Sequence, residues 1–140
     1  MDSRIPGVSC PMNLLLALTV TIFVASTALA QPAQPDGQAL YLEYCASCHG
    51  ANLEGQPNWM ERLPSGRLPA PPHDETGHTW HHSDEQLLRI VRDGLAAIAP
   101  GYQTDMPAFR GTLSDQEIVA ILDYIKQTWP DREREVQRSR

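Results

Sequence analysis

Cys45-Ala46-Ser47-Cys48-His49 decides how this chain is read. Two cysteines flank two residues and a histidine follows at once, the spacing by which haem is attached covalently. Each part has a chemical task. On a helix, thiols at i and i+3 share one face, so both reach vinyl groups along one edge of a porphyrin. The next residue then carries its imidazole beneath the ring centre as a proximal iron ligand. Two other chemistries use a C-x-x-C pair. A thiol–disulfide site normally sits within a βαβ pattern, which this sequence lacks. A zinc site wants two further Cys or His ligands. No cysteine follows Cys48, but His73, His78, His81 and His82 do, so composition leaves a Cys2His2 site open.

Working outward, Asp36 is placed to cap a helix that begins near Gly37 and runs through the motif to Gly50, a C′ glycine. Leu40, Tyr41 and Tyr44 give it an apolar side. Ser83-Asp84-Glu85-Gln86 and Ser114-Asp115-Gln116-Glu117 are capping boxes, Ser at N-cap and Gln or Glu three residues on. The first opens a helix carrying Leu87, Leu88, Ile90 and Val91 and ending at Gly94. The second opens a closing helix with an i, i+3, i+4, i+7 stripe, Ile118, Ile121, Leu122 and Ile125, which Pro130 ends.

Between the motif and the second helix, residues 51–82 show no sustained period and include Pro57, Pro64, Pro69, Pro71 and Pro72. A loop this long in a small domain generally wraps something functional. Before the closing helix, Met106-Pro107-Ala108-Phe109 presents a soft thioether on a loop stiffened by proline. Met60 is the other methionine after residue 30, and it lies in the proline-rich loop.

With Cys45-Ala46-Ser47-Cys48-His49 early, Met106-Pro107 late and an amphipathic helix at the close, residues 38–129 resemble a class I c-type cytochrome, a monohaem electron carrier. The resemblance implies an all-α cytochrome c fold, three main helices and long loops wrapped around one covalently bound haem c. It implies thioether bonds from Cys45 and Cys48 and axial iron ligation by His49 and Met106. It also implies that Gly37 and Tyr41 pack on the closing helix, at Ile121 and Tyr124. A loop proline carbonyl, from Pro69, Pro71 or Pro72, is expected to accept the second ring N–H of His49. Trp80 is a candidate donor to a haem propionate. His81 or His82 is a rival iron ligand, and neither they nor His78 has a settled role.

Ahead of the domain, Leu14 to Ala30 is free of charge and ends in Ala28-Leu29-Ala30, an A-x-A-like cleavage site. Residues 1–30 read as a secretory signal peptide, with an uncleaved membrane anchor as the alternative; 17 apolar or small residues are marginal for a bilayer about 30 Å thick. Cleavage removes Cys10 and leaves no thiol outside the motif, as suits an oxidising compartment. Residues 31–130 form the domain, and 131–140 a charged tail, either a solvated helix extension or disordered.

The domain is acidic, with six Lys and Arg against thirteen Asp and Glu between residues 31 and 130. This excludes nucleic acid as a partner and permits steering toward a basic protein surface. The resemblance, together with the leader, implies an exported, periplasmic one-electron carrier that docks transiently with a donor and an acceptor and is not itself an enzyme. The alternatives are a haem-based sensor and the haem subunit of a larger oxidase or dehydrogenase complex.

Overall fold

A computed structural model describes residues 33–140. The leader, residues 1–30, lies outside them. Five α-helices occur among the described residues: α1 Gly37–Tyr44, α2 Ala46–His49, α3 Asp84–Asp93, α4 Asp115–Gln127 and α5 Asp131–Arg138. Single 3₁₀ turns sit at Thr79–His81 and Leu95–Ala97, and no strand occurs among these residues. The architecture is all-α, as the helical spacing and the capping boxes predicted.

Helices α1, α3 and α4 start where the sequence places a cap. The Asp36 carboxylate accepts from the backbone of Gln38 and Ala39, both at 3.1 Å. Ser83 and Gln86 exchange bonds at 3.3 Å in each direction. Ser114 donates its backbone N–H to Glu117 at 2.8 Å, and its hydroxyl accepts from the Glu117 N–H at 3.3 Å. Such caps satisfy helix N–H groups that have no carbonyl partner, each contributing about 1 kcal/mol.

The core forms where α1 crosses α4. Tyr41, Ile118, Ile121, Leu122, Ile125 and Trp129 are its buried centre, with Leu53, Leu87 and Leu113 around them. Gly37 makes the crossing possible: a Cβ there would lie 2.0 Å from the Ala120 carbonyl oxygen and 3.2 Å from the Tyr124 Cβ. The Tyr41 and Tyr124 rings sit 5.5 Å apart. The expected meeting of Gly37 and Tyr41 with Tyr124 is present, but the backbone nearest the glycine is that of Ala120. α3 lies alongside α4, and the pair is clasped at its rim by Lys126 to Asp84 at 3.1 Å and Arg92 to Asp115 at 3.0 Å.

The charged tail is ordered as α5 and is not wholly solvated. Glu133 and Gln137, four residues apart and so on one face, are each 6% exposed. α5 packs on the 3₁₀ segment at Thr79–His81, and the Gln137 amide donates to Asp84 at the start of α3 at 2.6 Å. Arg132 lies over the Trp80 ring at 5.9 Å. Alternating charge concealed this inward face.

Candidate functional site

Cys45 is the joint between α1 and α2. Helical bonds run across it: the Cys45 N–H reaches the Tyr41 carbonyl, and the His49 N–H reaches the Cys45 carbonyl, both at 2.9 Å. Cys45 and Cys48 therefore stand one turn apart, as their spacing predicts, and neither is in a disulfide. Cys48 is exposed, whereas Cys45 is half-buried against the core. Burial, with Cys48 nearby, pushes the Cys45 thiol up to about 11.

His49 closes α2 and is 7% exposed. Its Nδ1 lies 2.9 Å from the Pro71 carbonyl oxygen. A carbonyl only accepts, so Nδ1 carries the proton and Nε2 keeps its lone pair. Burial lowers the pKa of this imidazole, with the Pro71 bond opposing the shift. The result is a neutral ring with one nitrogen oriented by a carbonyl and the other free to ligate, the arrangement found around metal-bound histidines. Of the three prolines expected to supply that carbonyl, Pro71 is the one that does.

The path of the loop brings Pro71 there. The Gly55 N–H donates to the His49 carbonyl at 2.8 Å, and the Gln56 N–H to the Ala70 carbonyl at 2.9 Å. Gly55 has φ +68°, and a Cβ on it would meet the Pro72 nitrogen at 2.4 Å. Glycine at 55 is what lets the returning strand of the loop close on His49.

His73 follows Pro71 by two residues, and its ring stacks on His49, centroids 4.0 Å apart with an interplanar angle of 21°. Its Nδ1 is 2.7 Å from the Thr79 hydroxyl, and its carbonyl accepts from the Trp129 indole at 2.7 Å. Burial, and then the neighbouring His49 and His78, hold His73 well below the ordinary imidazole range. The sequence named His73 only as one of four downstream histidines, and Thr79 and Trp129 carried no functional expectation at all. The other three histidines are bound up in aromatic contacts: His78 stacks on Trp59 at 5.6 Å and lies edge-on to His82 at 5.7 Å, while His81 stacks on Trp80 at 3.7 Å. The Trp80 indole donates to the Glu75 carbonyl at 3.3 Å, so its donor already has a partner within the loop. Among the described residues no three His, Cys, Asp or Glu side chains converge on a metal-sized site. The Cys2His2 zinc arrangement is not formed.

Met106 sits on a loop fastened at several points. Its N–H donates to the Thr104 hydroxyl at 3.0 Å. Beyond it, the Phe109 and Arg110 N–H groups bond the Val91 and Arg92 carbonyls at the end of α3, at 3.0 and 2.8 Å. The Phe109 ring meets Tyr44 edge-on at 6.2 Å. Asp105 forms an ion pair with Arg67, which ties this loop to the one bearing Pro71. Met106 is half-buried, whereas Met60 is 75% exposed and has no such surroundings.

This donor set suits haem c. It comprises two unbridged thiols one helical turn apart, a neutral imidazole with a free nitrogen and a thioether on an anchored loop. Around the thiols and the methionine loop, Tyr44, Cys45, Ala46 and Phe109 are partly buried and packed against the core. No curated protein and no solved structure matches the chain. The family model described as cytochrome c oxidase, cbb3-type, subunit III matches residues 32–125, from the lead-in to α1 through most of α4. The chain thus belongs to that family, whose c-type cytochrome domain binds covalently attached haem c and serves haem-based electron transfer.

Proposed function

We propose that this protein is an exported one-electron carrier in which Cys45 and Cys48 form the thioether bonds and His49 and Met106 are the axial ligands. Haem c, when bound, supplies an iron centre that gains and loses one electron. The chain's own residues do the rest. Cys45 and Cys48 anchor one edge of the ring from a single helical turn. His49 offers Nε2, and the Pro71 carbonyl both orients the imidazole and raises its basicity. Met106 offers a soft sulfur, which favours the reduced state and raises the potential. Loops fastened to α3 and to each other hold both ligands still, so little reorganisation accompanies electron transfer.

The observation that carries this reading is the His49 Nδ1 bond to Pro71, because it leaves Nε2 as the one ring nitrogen able to bind iron. Met106 is favoured over His81 and His82 because those histidines are engaged by other rings, His81 stacked on Trp80 and His82 edge-on to His78. Localisation follows the leader: cleavage after Ala30 releases the domain into the periplasm, and no helix among the described residues is long and apolar enough to cross a membrane.

The test is the absorption spectrum of the matured protein in both oxidation states, with carbon monoxide added to the reduced form. A low-spin spectrum with the weak far-red sulfur-to-iron band, unchanged by carbon monoxide, supports His49 and Met106. A low-spin spectrum without that band transfers the sixth position to a histidine. A high-spin, carbon-monoxide-sensitive spectrum overturns the carrier and favours a sensor. A second reading, a haem subunit docked permanently in an oxidase, is favoured by the family's own description. Stable co-purification with an oxidase core would establish it, whereas a freely diffusing domain would refute it.

A further inference from the structure

The bond from His49 to Pro71 fixes a point on the imidazole and leaves its plane loosely defined. Hydrogen bonds to a carbonyl tolerate a broad spread of angles, so the ring retains freedom to turn about the axis through Nε2. What stands against that turn is His73. Its ring lies 4.0 Å from that of His49 and within 21° of parallel, and turning His49 drives an edge into that face.

A stop works only if it is itself held, and His73 is held on every side. Its N–H donates to the Leu53 carbonyl at 2.8 Å. Its carbonyl accepts from Trp129, which is 2% exposed in the core. Its Nδ1 is engaged by Thr79, and the Tyr41 ring meets it edge-on at 6.3 Å. These anchors come from the loop, from the 3₁₀ segment, from α1 and from the end of α4. The stack is thus coupled to the body of the fold as well as to the loop that bears it.

We propose that His73 is a positioning residue that sets the orientation of the His49 imidazole plane beneath the haem. The inference rests on His49 being the proximal ligand. Its chemical content is a flat, immobilised partner: the plane of the ring matters, and neither its volume alone nor its bond to Thr79 alone would suffice. A phenyl ring at position 73 keeps the plane and loses the Thr79 bond. A leucine keeps apolar bulk and loses the plane.

The experiment is proton NMR of the oxidised, haem-loaded protein and of His73→Phe, His73→Leu and Thr79→Val, reading the paramagnetically shifted haem methyl resonances, whose pattern follows the axial ligand planes. The expected result is a changed order or contracted spread of these resonances in His73→Leu, a pattern close to the parent in His73→Phe, and a smaller displacement in Thr79→Val. A parent-like pattern in His73→Leu overturns the proposal, as does an equal disturbance in the phenylalanine and leucine variants. Should His73→Leu fail to mature, His73→Phe decides: a strongly altered pattern, with the ring plane retained, refutes the proposal. Failure of the ligand reading is separable, because it appears in the parent protein as a missing sulfur-to-iron band before any variant is made.

Discussion

Replacing Gly37 by alanine tests the central packing of this domain. Alanine is the better helix former, and in a helix interior the exchange would stabilise by about 0.5–1 kcal/mol. Here the added methyl points at backbone. It would lie 2.0 Å from the Ala120 oxygen and 2.6 Å from its carbonyl carbon. No rotamer change relieves this, since the obstructing atoms belong to the axis of α4, and the two helices have to separate by roughly 1 Å or more. Overpacking costs about 1–3 kcal/mol where side chains give way, and backbone against backbone lies at the top of that range. After subtracting the propensity gain, the net loss is about 2 kcal/mol, equivalent to a melting midpoint lower by roughly 8–12 °C. Thermal and guanidinium unfolding of the haem-loaded protein, monitored by far-ultraviolet circular dichroism, gives the comparison. A second substitution, Tyr124→Ala, should not recover the loss, because the first obstruction is the residue 120 carbonyl. A Gly37→Ala protein as stable as the parent, or more so, would refute the claim that α1 and α4 meet backbone to backbone.

Met106→Leu should abolish the sulfur-to-iron band, lower the midpoint potential and open the reduced protein to carbon monoxide, all read by optical titration. Ser114→Ala removes the cap of α4 and should cost about 1 kcal/mol in denaturant unfolding. The same box has a pH signature. The Ser114 N–H and hydroxyl hold the Glu117 carboxyl below its ordinary pKa, so this contribution is complete above the unfolded carboxylate pKa and is lost as pH falls through the lowered folded value. The stability difference between the parent and Glu117→Gln should therefore be largest near neutrality and close in acid. Trp129→Phe leaves the His73 carbonyl without its indole donor and should destabilise by about 1–3 kcal/mol, measured by unfolding with the optical spectrum as a check on the ligands.

Much of this was legible in the sequence, and the division has a physical cause. Ser83, Gln86, Ser114 and Glu117 are legible because a capping box is closed within four residues. Cys45, Cys48 and His49 are legible for the same reason, since one helical turn relates them. Gly37, Tyr41 and Tyr124 required the resemblance, because their contact joins distant segments. Pro71 was one of three equal possibilities until the path past Gly55 distinguished it. His73 was hidden among four histidines: nothing in its spacing from His49 encodes a stack that depends on where Leu53, Thr79 and Trp129 end up. Ala120 contributes a carbonyl, and every residue has one. In the tail, Glu133 and Gln137 are polar, so a hydropathy pattern assigns them to solvent, although both are buried with their amide and carboxylate groups bonded to Asp84 and Arg132 at the rim.

The family match stops at residue 125, yet the support of His49 does not. The Trp129 indole holds the His73 carbonyl, and Gln137 grips the base of α3 through Asp84. A minimal module cut at the shared boundary would keep both cysteines, His49 and Met106 while discarding part of the frame that braces them. Anyone grafting this cytochrome domain onto another protein should place the seam beyond α5, and should expect a shorter graft to hold His73 and His49 more loosely.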